Sequence, residues 1–334
     1  PWPAQRRQDG LRGSRSRLPQ TLGEGRFGAC SPALVPRSWR PPALPNSWDT
    51  IFKEIPLALT SPRFQPNAAL AEVESNGKVL KIGSSGTPVH LVQMALLDLG
   101  YSLPVSTAKA NYSPDGIYGE ETRQAVKKFQ KDSGTLKDDG VVGQKTIREL
   151  DRRFSAFQHR VRLHLRSIAL THVPFERSLS NAELVYAMYG IKIEFASGES
   201  IRLTPEQRAL FDKVDQACKW DLNDGEINEL QRIGSRAPAN DILVFYVNTF
   251  ADSNLLGCGG HAKNRPACTV AAHAGAWDTA HEVCHVLLTS SFNPVHISDQ
   301  RNLMHPESRS SPTPPVLTDR QVKQIRNSPL CGAM

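Results

Sequence analysis

No stretch of the chain stays apolar for the roughly 18 residues that a membrane-spanning helix needs, which excludes an integral helical membrane protein. Cysteine is scarce: six residues, at positions 30, 218, 258, 268, 284 and 331, with no C-x-x-C pair. That is too few for a disulfide scaffold, and it argues against a thiolate zinc ribbon. An excess of one charge is also missing once the first fifty residues are set aside. The net charge is +7, but residues 1–50 hold eight arginines against Asp9, Glu24 and Asp49, so five of the seven charges sit there. The remainder is close to neutral, so nucleic-acid binding is not its purpose. The chain opens Pro1-Trp2-Pro3, and no apolar h-region of about 7–15 residues follows the basic residues, so no signal peptide is expected. On that reading the sequence starts partway through a longer protein, or export uses another route, delivery by a secretion machine included.

What remains is a globular text. Hydrophobic residues make up 39% and charged residues 22% of 334 positions, enough for two domains with real cores. Residues 1–70 are rich in Pro, Arg and Ser, without a sustained apolar period, and are expected to be largely disordered. From Leu80 the text changes. Val89, Val92, Leu96 and Leu99 recur at helical spacing, and Gly100-Tyr101 stops that helix. An internal repeat follows: Asp115-Gly116-Ile117-Tyr118-Gly119-x-x-Thr122, and 24 residues later Asp139-Gly140-Val141-Val142-Gly143-x-x-Thr146. Each copy is a tight turn, an apolar pair, a reversal and a helix. Two such units docked on the 89–99 helix make a small all-α three-helix bundle at 79–152.

Together with Gly83-Ser84-Ser85-Gly86, Gln93, Ala125-Val126 and Phe129-Gln130, these residues resemble the peptidoglycan-binding type 1 domain over roughly 79–150. The resemblance implies bacterial peptidoglycan as a partner and a place outside the cytoplasm, secreted or periplasmic, on the cell wall.

Residues 158–334 read as a second, α+β domain. Strands are expected at Val161–Leu165 and Ile191–Phe195, a helix at Leu179–Tyr189, and a helical pair across Leu203–Ile233. The run Ile242-Leu243-Val244-Phe245-Tyr246-Val247 reads as a buried central strand. Gly257–Ala271 reads as a loop and an edge strand. Five of the six cysteines lie after residue 200, which fits one or two disulfides and an oxidising compartment. Cys258 and Cys268 bracket a hairpin and are one candidate pair. Cys284 with Cys218 or Cys331 is another, and Cys30 is left unpaired.

The sharpest signal is His281-Glu282-Val283-Cys284-His285. On a helix the two histidines are i and i+4, so both rings reach one Zn²⁺ from the same face. Glu282 sits one position round, placed to take a proton from water rather than to ligate. A catalytic zinc wants a third protein ligand and an open position. His296 offers that ligand on a loop that can fold back; His305 and Glu307 are alternatives. Asn302-Leu303-Met304 resembles the methionine turn that floors the site in metzincin peptidases. Residues 158–310 thus resemble a metzincin-like zinc metallopeptidase, with Glu282 catalytic, His281, His285 and His296 on the metal, and Met304 beneath.

Two departures stand out. Leu288 occupies the glycine of the metzincin pattern and Ser291 its third histidine, so the left-handed helix exit is not expected, and Thr289–Pro294 must carry the chain to His296. No tyrosine follows Met304, so no oxyanion partner is named. Matrix metallopeptidases place a similar helical fold before the enzyme as an inhibitory propeptide with a cysteine on the connector. Residues 150–170 contain no cysteine, so that switch is not expected here. The resulting expectation is a wall-targeted zinc endopeptidase acting on protein or peptide. Three alternatives remain open: a stem-peptide endopeptidase, an antibacterial effector toxin, and a non-catalytic wall adaptor with a structural zinc. His159, His164 and His172 read as surface or strand histidines, His261 and His273 as loop histidines near a cleft, and Trp277 as core.

Overall fold

The computed structural model describes residues 58–108, 113–168, 175–308 and 311–334. Calls that fall on residues 1–57, Cys30 among them, and on His172 lie outside the described residues. The helical module begins earlier than the sequence implied. Residues 58–70 are packed rather than loose: Leu59, Phe64 and Leu70 are buried. Asp151 accepts hydrogen bonds from the backbone of Thr60 and Ser61, which pins this segment to the module. Helix α1 (Ala68–Glu74), capped by the Asn67 side chain, packs on α5 (Gln144–Arg153).

The three helices expected from the repeat are α2 (Thr87–Asp98), α4 (Glu120–Asp132) and α5, with a short α3 (Pro104–Ala108) between the first two. Each repeat closes on a glutamine. Gln93 Nε2 donates to Asp115 Oδ1, the Ile117 carbonyl and Thr122 Oγ1 at 3.0–3.1 Å, while its Oε1 accepts from Gly116 N at 2.9 Å. Gln130 does the same one repeat later with Asp139, Val141, Thr146 and Gly140. Gly140, at φ +73°, has the Arg123 carbonyl 2.9 Å from where a Cβ would sit, so the turn cannot carry a side chain.

In the second domain, strands β1 (His159–Ser167), β2 (Ile191–Ser200), β3 (Ile242–Val247), β4 (Gly257–Cys258), β5 (Ala267–Ala271) and β6 (Gly332–Ala333) form one mixed sheet. Among the described residues its order is β2-β1-β3-β5-β4, with β6 pairing β1. The first four are parallel, and β4 runs antiparallel along the edge. Strand β3 is central and buried at every position, as its unbroken apolar run requires. Ile242, Val244 and Tyr246 face helices α6 (Phe175–Ala187) and α9 (Asp278–Leu288) in one core; Leu243, Phe245 and Val247 belong to another.

That second core replaces the expected helical pair. Residues 203–233 hold only α7 (Pro205–Leu210) and α8 (Gly225–Leu230). Phe211, Val214 and Leu222, in the stretch between them, are buried with Phe245 and Val247, so tertiary burial overrides helical propensity there.

The module and the sheet domain share one apolar core. Asp98 of α2 accepts from Arg326 Nη1 and Nη2 at 2.8 and 3.0 Å and also from Arg63. Arg326 lies on α10 (Asp319–Arg326), so three separate parts of the chain meet at one carboxylate. Nearby, Tyr189 Oη accepts from Leu317 N at 2.7 Å and meets His90 Nε2 at 3.4 Å.

Candidate metal centre

Residues 278–288 contain neither Gly nor Pro, and Ala280, Val283, Cys284 and Leu287 bury the back of α9. Asp278 sits in its first turn, where a carboxylate suits the helix dipole, and accepts from Gly275 N at 2.7 Å and Ser308 Oγ at 2.8 Å. Tyr186 of α6 donates to the Ala280 carbonyl at 3.0 Å, which fixes the helix against its neighbour. His281 and His285 therefore leave one face, a turn apart.

Thr289 then takes φ +66°, ψ 167°. The chain turns out of the helix at a positive φ without glycine, contrary to the expectation, one residue after Leu288. This region is costly for a β-branched residue, about 1–3 kcal/mol.

The loop brings His296 back. His281, His285 and His296 offer Nε2 atoms separated by 3.1, 3.3 and 3.0 Å. Nitrogens bound to one Zn²⁺ at 2.0–2.1 Å in tetrahedral geometry lie about 3.3 Å apart, so the donor set fits that ion. The tautomer fits as well. His281 Nδ1 donates to the Leu303 carbonyl at 2.7 Å, which leaves the Nε2 lone pair facing the other two rings.

Burial pushes the His281 imidazolium down to about 4, partly offset by the Leu303 carbonyl. Burial, reinforced by the neighbouring histidines, pushes His285 down to about 2, and burial lowers His296. All three rings are therefore neutral donors near pH 7.

Met304 is fully buried, next to the carbonyl that holds His281. Its N–H donates to Asn302 Oδ1 at 2.8 Å, and its carbonyl accepts from Ile297 N at 3.1 Å, which ties the turn to the residue after His296. Asn302 and Gln321 exchange hydrogen bonds at 2.9 and 3.2 Å and anchor the turn from below.

Glu282 lines the same cavity of about 790 Å³ as the three histidines. Burial pushes its carboxyl well above the usual carboxylate range. Asp278 pushes it further, and the Gly259 N–H opposes the shift. Edge strand β4 crosses the helix so closely that a Cβ on Gly257 would lie 2.5 Å from Glu282 Cγ, and one on Gly259 2.2 Å from His285 Cβ. Sequence reading did not single out either glycine. The signal was the string Gly257-Cys258-Gly259-Gly260 at a strand edge, where missing side chains mark close backbone approach.

The disulfide also differs from expectation. Cys218 bonds Cys258, while Cys268, Cys284 and Cys331 are buried free thiols. The bridge ties the 218–220 segment to β4, and Trp220 meets the His285 ring edge-on at 5.4 Å. Cys268 is buried within β5, so it packs as a small apolar residue.

His305 and Glu307 line the cavity but stand outside the three-nitrogen cluster. His305 Nδ1 accepts from Glu307 N at 3.2 Å. His164 is buried against Asp241 at 2.8 Å, a structural role. His261 and His273 meet backbone carbonyls and take no part in the cluster. Trp277 is core, with its indole donating to the Ser311 carbonyl at 2.8 Å. Among the described residues, none of those lining the cavity comes from the helical module.

Residues 85–150 match the family described as "Putative peptidoglycan binding domain". A probable N-acetylmuramoyl-L-alanine amidase from Bacillus licheniformis is 42% identical over 76 residues, 23% of this chain and 20% of the relative. The chain thus spans about a fifth of the length of the curated relative it matches. Among solved structures, metalloproteinase-II from Bacteroides fragilis is 11% identical with a TM-score of 0.33, over 51% of this chain and 53% of that one. An archaemetzincin from Methanopyrus kandleri is 12% identical with a TM-score of 0.30, over 50% and 94%. Scores this low carry no argument about this chain's chemistry.

Proposed function

We propose that the chain is a wall-directed metallohydrolase that cleaves peptide bonds, with His281, His285 and His296 holding Zn²⁺ and Glu282 moving the proton. The observation that carries this reading is the convergence of three neutral Nε2 donors within 3.0–3.3 Å, beside a buried carboxyl, in one open cavity. Zn²⁺ in such a site supplies Lewis acidity, lowering the pKa of water towards 7 and polarising a carbonyl. Glu282 does the rest of the acid–base work. In its carboxylate form it accepts a proton from the attacking water and, once protonated, releases it to the leaving amine; burial strengthens that carboxylate as a base. The Leu303 carbonyl keeps His281 in the tautomer and orientation that the site needs.

The helical module supplies the address. Its match over residues 85–150 supports peptidoglycan as the partner and a cell-wall location, and the Cys218–Cys258 bridge suits an oxidising compartment. A module fused to the enzyme raises the local concentration of substrate at the wall. Among the described residues none of those lining the cavity belongs to the module, which favours an address over an inhibitory cover.

The test incubates the zinc-loaded protein and its Glu282→Gln variant with purified sacculi and, separately, with unfolded protein, with products read by mass spectrometry. The wild type should release peptide fragments, and the variant should do so about 10²–10⁴-fold more slowly while keeping its metal. Full activity in the variant would overturn the role of Glu282. Release from sacculi alone would make the substrate a stem peptide; release from protein alone would make it an envelope or secreted protein.

A further inference from the structure

A second cavity, of about 420 Å³, opens between residues 231–239 and the 263–266 loop. Four cations line it: Arg232, Arg236, Lys263 and Arg265. Among the described residues none of the four pairs with a carboxylate. The two acids at hand are already engaged. Asp241 accepts from Arg162 Nη1 at 3.0 Å and His164 Nε2 at 2.8 Å. Glu199 accepts from Ser235 N at 2.9 Å and pairs with Arg166 at 3.0 Å. The positive charge of this cavity is therefore uncompensated, in a domain that is close to neutral as a whole.

Two polar atoms of the lining residues are buried and unmatched. Arg265 Nη1 is a donor with no acceptor, and Gln231 Oε1 is an acceptor with no donor. Gln231 is 2% exposed where it lines the cavity. Its other amide atom is occupied, donating to the Gly260 carbonyl at 3.0 Å. Buried groups of both kinds are rarely left unpaired in a folded protein. Their joint demand is specific: a negative group for the guanidinium and a hydroxyl for the amide oxygen.

We propose that this cavity binds a hydroxylated anion, a phosphorylated polyol or an acidic sugar, through Arg232, Arg236, Lys263 and Arg265, with Gln231 reading a hydroxyl. Guanidinium groups suit phosphate and carboxylate because their parallel N–H donors match two oxygens at once. The site is separate from the candidate metal centre but shares a loop with it. Gly259 and Gly260 wall the first cavity, and Lys263, Asn264 and Arg265 line the second. The assignment does not depend on the hydrolase reading, since it rests on binding alone.

The test titrates the full chain calorimetrically at low salt with glycerol phosphate, glucuronate, inorganic phosphate, acetate and glycerol. One of the two hydroxylated anions should bind at least about tenfold more tightly than its plain counterpart, phosphate or acetate, and the tighter of the two identifies the class. Glycerol should not bind. Arg265→Gln should weaken binding about tenfold or more, and Arg232→Gln, at an exposed position, should weaken it with an unchanged melting temperature. No anion binding, or binding unchanged in both variants, would overturn the site. Equal binding of glycerol phosphate and phosphate, and of glucuronate and acetate, would overturn the hydroxyl contact and leave an undiscriminating basic patch.

Discussion

In the helical module, Gln93 and Gln130 are buried and complete: each amide group meets three acceptors, and each carbonyl oxygen takes a glycine N–H. In the sheet domain, His281, His285 and His296 aim three lone-pair nitrogens at one another across 3.0–3.3 Å, beside a buried Glu282. Both regions gather polar side chains, yet only the glutamine networks are satisfied from within. A closed network is a device for holding a fold, since every member has its partner. A cluster of acceptors with no donors among them is a device for holding something else, and a divalent cation is what its geometry fits.

That contrast can be strained where the two regions join. Asp98→Ala leaves the Arg63 and Arg326 guanidiniums without their shared carboxylate, and a broken buried pair of this kind costs about 3–5 kcal/mol. Urea denaturation should show that loss as one transition for module and sheet domain together, because they share a core. Two separate transitions would mean that the module is a tethered passenger.

Next in size come the repeats. Gln93→Leu and Gln130→Leu each strand a buried glycine N–H, for about 1–3 kcal/mol apiece. The penalties should be similar, because the partners correspond one for one. A marked inequality would mean that one repeat carries more than a fold.

The smallest effect is a pH dependence. Burial lowers His90 to about 4, from 6.5 in an unfolded chain. The unfolded state therefore binds the proton first, and the stability that His90 contributes is complete above pH 6.5 and lost as the pH falls towards 4. His90→Gln should flatten the decline in unfolding free energy between pH 6.5 and 4.5. An unchanged slope would assign the decline to other groups.

The regular features were legible in sequence. Asp-Gly turns at a fixed interval announce the module, and two histidines four apart announce a shared face. The approach of His296 to the other two rings was legible as well, because two histidines on one face invite a third donor and only a few candidates follow the helix. What escaped the reading depended on distance along the chain. Gln93 and Gln130 were visible residues, but their hydrogen-bond partners lie 9–29 positions away. Cys218 reaches Cys258 across 40 residues, and nothing local distinguishes that bond from Cys258–Cys268. Thr289 shows the limit from the other side: propensity argued against a positive φ there, and the chain adopts one all the same. The packing of residues 58–70 was hidden for a similar reason, since Leu59 and Phe64 find their core in helices far downstream.

The central claim is that three imidazoles converge on one divalent cation, and equilibrium dialysis against buffered Zn²⁺ tests it most directly. The wild-type chain should retain one equivalent, and His296→Ala, with its fold intact by circular dichroism, should lose most of its affinity. Retention of zinc at wild-type affinity without His296, or failure of the wild-type chain to bind zinc, would contradict the account.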